Sequence, residues 1–138
     1  MPLQIVIDTN VFVSALRSNR GASYQLLSLV GKSARFEINI SVPLVLEYED
    51  AANRELRKIG LAKSDVSDII DYICSVANHR LIYFLWRPLL RDPGDDMVLE
   101  LAVEAQCDYI ISFNKRDFDG AAQFGLEVLS PQEFLKRI

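Results

Sequence analysis

The chain has 138 residues, half of them hydrophobic and a quarter charged, a size and mix that fit one globular domain able to bury a little under about 70% of its unfolded surface. Cys74 and Cys107 stand in apolar contexts without a CxxC pair and His79 is the sole histidine, which excludes a Cys/His zinc site and histidine-dependent nucleophiles and fits a cytosolic protein with reduced thiols. The net charge of −4 argues against a passive electrostatic binder of nucleic acid; the uncharged run 21–31 is too short and polar to cross a bilayer, and the N-terminus carries no basic leader, so a cytoplasmic location is expected.

Apolar segments and helical patterns alternate along the chain. Residues 3–7 read as a strand and 11–17 as a helix; 36–40 form a second strand, followed by a helix from Val42-Pro43 to about residue 58. Over 65–77, Val66, Ile69, Ile70 and Ile73 follow the i, i+3, i+4, i+7 rule behind a Ser64 cap. A third strand is expected at Leu81-Ile82-Tyr83-Phe84, a helix from Asp95 to about residue 105, and strands at 109–111 and 126–129. The last helix follows Ser130-Pro131-Gln132-Glu133, a capping box with proline at the first helical position. This alternation specifies the α/β class, with a mostly parallel sheet of about five strands, Rossmann-like in topology, covered on both faces. Parallel crossovers put every strand's C-terminal end on one rim, where open sheets bind ligands.

Asp8-Thr9-Asn10 emerges directly from the first apolar strand, and a carboxylate so placed needs hydrogen bonds or a cation, since desolvating it alone costs several kcal/mol. Capping of the next helix by Asp8 and Asn10 is the plain alternative. After strand two, Ser41 starts a helix whose second turn carries Glu47 behind three apolar residues, on a face the pattern leaves open. Arg54 and Lys58 lie seven and eleven positions on, which at roughly 100° per residue gives a basic stripe on the same face. After strand three, Asp92-Pro93-Gly94-Asp95-Asp96 combines turn chemistry with acids at a helix start, and Asp95 shares a face with Leu99 and Ala102. After strand four come Ser112-Phe113-Asn114-Lys115-Arg116-Asp117. Each segment has an ordinary structural explanation, but together they bring carboxylates and amides to one rim, where they repel one another without a cation. Mg²⁺ or Mn²⁺, a hard ion taking oxygen ligands, resolves this, and one or two such ions offset the chain's negative charge against a nucleic-acid substrate.

The phrase Ile7-Asp8-Thr9-Asn10-Val11, Glu47 after Ser41, Asp92-Pro93-Gly94-Asp95-Asp96 before Leu99-Glu100-Leu101-Ala102, and Ser112-Phe113-Asn114 together resemble a PIN domain, in particular the VapC-like toxin components of toxin–antitoxin systems. The likeness spans almost the whole chain, so residues 1–138 are expected to form a single PIN-like domain. It implies a three-layer α/β/α sandwich and a cytoplasmic ribonuclease that uses Mg²⁺ or Mn²⁺, one or two ions, to hydrolyse RNA to 5′-phosphate and 3′-hydroxyl ends. Carried over, the three principal acids fall on Asp8, Glu47 and Asp95, with Asp92 close by. The fourth position falls on Asn114 or Asp117, and Ser112 replaces the usual threonine. Thr9, Asn10 and Ser112 are supporting polar groups, and Arg17, Arg20, Arg54, Lys115 and Arg116 are candidate phosphate contacts. The resemblance also implies a homodimer and an antitoxin covering the acidic groove.

Two other phosphoryl or nucleotide classes fit less well. A haloacid dehalogenase-type phosphatase needs a second aspartate where Asn10 stands, and a dinucleotide-binding domain needs the GxGxxG turn that is missing here. The remaining alternative is a catalytically inactive PIN-like module that binds RNA or protein.

Overall fold

The computed structural model describes residues 1–82 and 93–138. Its elements run β1 (Leu3–Ile7), α1 (Thr9–Arg17), α2 (Ala22–Leu29), β2 (Phe36–Ile40), α3 (Val42–Asn53), α4 (Leu56–Ile59), α5 (Lys63–Val76), β3 (Asn78–His79), α6 (Pro93–Glu104), β4 (Tyr109–Ile111), β5 (Glu127–Leu129) and α7 (Pro131–Leu135), with 3-10 turns at Lys115–Phe118 and Ala121–Phe124. The five strands form one sheet in the order β3-β2-β1-β4-β5, all parallel. Ile5, Val6 and Ile7 are all buried, as expected of a central strand covered on both faces. On one side α6 packs against β1, β2 and β4, while α1 contacts α2 and α3, and α3 contacts α5. Phe12, Leu26, Leu44, Leu99, Ile110 and Phe134 lie fully inside this core. None of the described helices is long and apolar enough to cross a membrane.

Three local expectations differ from the structure, which also holds one helix that the sequence reading does not place. The third strand among the described residues is Asn78–His79; of the expected 81–84, Leu81 and Ile82 lie outside any strand, and Tyr83 and Phe84 lie outside the described residues. Helix α2 fills part of the uncharged run, where the pattern gives a weak helical stripe because only Ser23 and Leu26 are fully buried. The helix from Val42 does not reach Lys58 unbroken; it stops at Asn53, and α4 starts anew after Glu55. The basic stripe of Arg54 and Lys58 depended on one continuous helix and is absent. Finally, α5 starts one residue before Ser64, at Lys63, and the Asp65 carboxylate accepts from the Ala62 N–H at 2.8 Å.

Below the rim, side-chain amides lock β1, β2 and β3 together. Fully buried Asn39 donates through Nδ2 to Gln4 Oε1 at 3.0 Å and to the Ile5 carbonyl at 3.2 Å, and its Oδ1 accepts from Arg80 Nε at 3.0 Å. Asn78 donates to Gln4 Oε1 and Glu37 Oε1, and the bonds from Gln4 and Asn78 hold the Glu37 carboxyl below the usual carboxylate range.

The end of α2 depends on a glycine. Gly31 has φ of 77°, and a Cβ there would lie 2.7 Å from the Tyr72 hydroxyl oxygen, which itself donates to the Val30 carbonyl at 2.7 Å. Gly31→Ala is therefore expected to cost about 1–2 kcal/mol. Gly60, with φ of 71° and nothing within 4 Å of its missing Cβ, should cost less on the same change. Urea midpoints of the two variants at equal slope check the order.

Candidate active site at the C-terminal rim of the sheet

The central strand delivers Asp8 to the rim, as an apolar strand followed by a helix start must. Asp8 is the N-cap of α1, its Oδ1 accepting from the Thr9 N–H at 2.8 Å, so the capping expectation holds for Asp8 and not for Asn10, which lies inside the helix and bonds Ser112 and Phe113. Its other oxygen does something capping does not require: Oδ2 accepts from the Ser112 hydroxyl at 2.7 Å. Ser112 follows β4, the strand next to β1, and is fully buried. Its Oγ also accepts from the Asn114 N–H at 3.0 Å and, at 3.4 Å, from Asn10 Nδ2. Asn10 Oδ1 in turn accepts from the Phe113 N–H at 3.4 Å. One hydroxyl thus ties together the ends of two adjacent strands around one carboxylate.

Burial raises the Asp8 carboxyl above its ordinary value, the Ser112 and Thr9 bonds oppose this, and the charges of Glu47 and Asp117 raise it further. Asp8, Glu47 and Asp117 therefore share one electrostatic neighbourhood, although they come from β1, α3 and the turn after β4. Glu47 is half-buried and Asp117 exposed. Between Asp8 and Glu47 sits a residue that sequence reasoning missed. Tyr48, 2% exposed and stacked on Phe12 with ring centroids 4.6 Å apart, donates its hydroxyl to the Ile7 carbonyl. Desolvation first, then the charges of Asp8 and Glu47, push its phenol well above the usual tyrosine range. The available signal was an aromatic residue one step from an acid on a largely apolar helix face.

Asp95 is half-buried in the first turn of α6, a helix that packs on β1, β4, α3 and the Lys115–Phe118 turn. Asp92 lies outside the described residues. The sequence also did not single out Asp96 and Glu100, which are 7% and 4% exposed one helical turn apart. Two acids at i, i+4 inside an apolar helix were their signal.

Of the candidate phosphate contacts, three are ion-paired. Arg17 pairs with Glu55, Arg54 with Asp50 at 3.2 Å, and Lys115 with Glu133 at 2.6 Å, a bond that helps draw the Glu133 carboxyl down to about 2. Arg20 and Arg116 are exposed and form no ion pair among the described residues. A groove of about 400 Å³ between α1, α2 and α5, lined by Leu16, Tyr24, Leu27, Ile69 and Tyr72, contains none of the acids.

The candidate donors at the rim among the described residues are oxygens: the carboxylates of Asp8, Glu47 and Asp117 and the Thr9 hydroxyl, which is buried with no hydrogen-bond partner among those residues. Such a set suits a hard divalent cation and not a soft one. Among the described residues, no three His, Cys, Asp or Glu side chains form a ready-made cage for an ion.

Comparison with known proteins agrees with this geometry. The family model described as PIN domain matches residues 4–116, a span that includes Asp8, Glu47, Asp95, Ser112 and Asn114 and stops one residue before Asp117. No curated protein matches the chain. PIN domains are in general metal-dependent nucleases that bind nucleic acid. A parallel five-stranded sheet with acids at its C-terminal rim and a family match over most of its length place the chain in the PIN domain family.

Proposed function

We propose that the protein is a Mg²⁺- or Mn²⁺-dependent endoribonuclease, a single PIN-like domain acting in the cytoplasm as the toxin of a toxin–antitoxin pair. The observation that carries this reading is the Asp8 carboxylate, buried at the end of the central strand, held by Ser112 and Thr9, and pressed by the charges of Glu47 and Asp117. A protein does not gather such charges without compensation unless a cation completes the site.

In this reading Asp8, Glu47 and Asp95 hold one or two ions, with Asp92 on the same acidic segment. Asp117 fills the fourth position in preference to Asn114, because the Asp117 charge is felt at Asp8 while Asn114 bonds Ser112 through its backbone N–H. A cation held there would supply charge screening for the scissile phosphate and a lowered pKa for water, so that hydroxide would be available as the nucleophile at neutral pH. The chain's own groups set the geometry: Ser112 and Thr9 fix the orientation of the Asp8 carboxylate, and Asn10 fixes the loop after β4. Arg20 and Arg116 are the exposed cations best placed to meet RNA phosphates, and Arg17, Arg54 and Lys115 do so only by leaving their ion pairs. A homodimer and an antitoxin seated over the acidic rim complete the proposal.

Cleavage of a mixed single-stranded RNA pool by the purified protein tests this, in Mn²⁺, in EDTA, and with Asp95→Asn as the contamination control. Cleavage in Mn²⁺ alone, lost in the variant, is expected. An uncleaved pool from folded, inhibitor-free protein would overturn the nuclease reading. One observation favours a second reading, a PIN-like module that binds without cleaving: although the Glu47 and Asp117 charges act on Asp8, no three acids among the described residues stand close enough to cage an ion.

A further inference from the structure

Phe113 stands out among the rim residues because its surroundings are fixed and its ring is not covered. It is 51% exposed, yet it directly follows Ser112, which is fully buried and bonded to Asp8. Its own N–H donates to Asn10 Oδ1, and the next N–H, that of Asn114, donates to Ser112 Oγ. The backbone on both sides of the ring is thus tied to the carboxylate site. An apolar ring of this size is usually placed in the core, as Phe12, Phe36, Phe118 and Phe134 are. Instead it is half exposed, in the segment that runs from Ser112 of the acidic site to the exposed Arg116.

We infer that Phe113 is a stacking platform for an unpaired nucleobase of single-stranded RNA, next to the phosphate held at the acidic rim, an inference that rests on the nuclease reading above. The chemistry of the loop selects this occupant. Every base has a π-face that an aromatic ring can stack on regardless of sequence, while the adjoining phosphates meet Arg116 and the cation-loaded acids. In a duplex those faces are already stacked, so the ring favours single strands, loops and ends over helical RNA.

The test is the binding of a short single-stranded RNA carrying one 2-aminopurine, in Ca²⁺ to load the acids and again in EDTA, with the RNA checked for intactness and fluorescence quenching as the direct readout of stacking. Wild-type protein, Phe113→Ala, Phe113→Trp and Phe113→Leu are compared, with Mn²⁺-dependent cleavage by the wild type recorded in parallel. Phe113→Ala is expected to bind about tenfold more weakly and to lose the quench, Trp to restore both, and Leu to behave as Ala. Unchanged binding and quench in Phe113→Ala overturns the platform alone. Full rescue by Leu overturns it too, showing a general apolar contact of the kind a protein partner would use. Phe113-dependent quench without wild-type cleavage supports the platform and overturns the nuclease reading, and wild-type protein that neither binds nor cleaves overturns both.

Discussion

Asp8→Asn should lower metal-dependent RNA cleavage by at least about a hundredfold while leaving the metal-free protein as stable as wild type. The substitution keeps the shape of the side chain: the amide oxygen still accepts from the Thr9 N–H, while the amide NH2 that replaces the other oxygen faces Ser112 Oγ as a donor instead of accepting from it. What disappears is a buried negative charge. Because burial raises the Asp8 carboxyl, the folded chain holds that proton more tightly than the unfolded chain does. The ionised form therefore costs stability in full above the folded-state pKa, and the cost fades as the pH falls through that value toward the unfolded one. The asparagine variant carries no such cost, so in EDTA it should match or exceed wild type at neutral pH, with the difference shrinking in acid. Mn²⁺ should then raise the melting temperature of wild type and leave the variant unmoved. Thermal unfolding from neutral pH into acid, with chelator and with Mn²⁺, checks all three. A variant that melts early or still cleaves would make Asp8 a structural cap and nothing more.

Ser112→Ala should be the most damaging single-atom change at the rim. Its hydroxyl is the strongest influence holding the Asp8 carboxyl down against burial, and it also accepts the Asn114 N–H. Removal leaves a buried carboxylate oxygen and a backbone N–H short of partners, at a cost of about 2–3 kcal/mol. It also lets the Asp8 carboxyl rise further, so cleavage should shift to higher pH, with the loss greatest in acid and smallest in mild alkali. Ser112→Thr keeps the hydroxyl and should restore the profile. Urea denaturation and the pH profile of cleavage separate the two effects. An alanine variant that is destabilised but keeps the wild-type profile would refute the electrostatic role.

The regular parts of the fold were legible because their burial is one-dimensional. Strands β1, β2 and β4 are short apolar runs bounded by polar residues, and the structure gives them the expected limits. Strand β3 was not legible. It is a two-residue edge strand, and its Asn78 joins an amide network rather than a hydrophobic layer, so the more apolar 81–84 drew the assignment. The break between α3 and α4 has no glycine or proline to announce it, which made the Arg54–Lys58 stripe look continuous. The acids at strand ends were readable because charge after an apolar strand is conspicuous. Tyr48 was not, because a tyrosine on a helix carries no mark of which carbonyl it will reach.

The amide network around Asn39 bears on the rim from within the sheet, Asn39 lying two positions before Ser41. Isoleucine- and valine-rich parallel strands offer little to distinguish one pairing from another two residues along, since the same faces stay buried. A slip of that kind in β2 would carry Ser41 and the start of α3 about 6.6 Å along the strand direction, and Glu47 with them. It would also strip fully buried Asn39 of its bonds to Gln4 and the Ile5 carbonyl, groups that fix its level against β1. Asn39 thus works as a ruler: an uncharged side chain outside the acidic cluster sets how far Glu47, carried by the helix after β2, comes to rest from Asp8 at the end of β1.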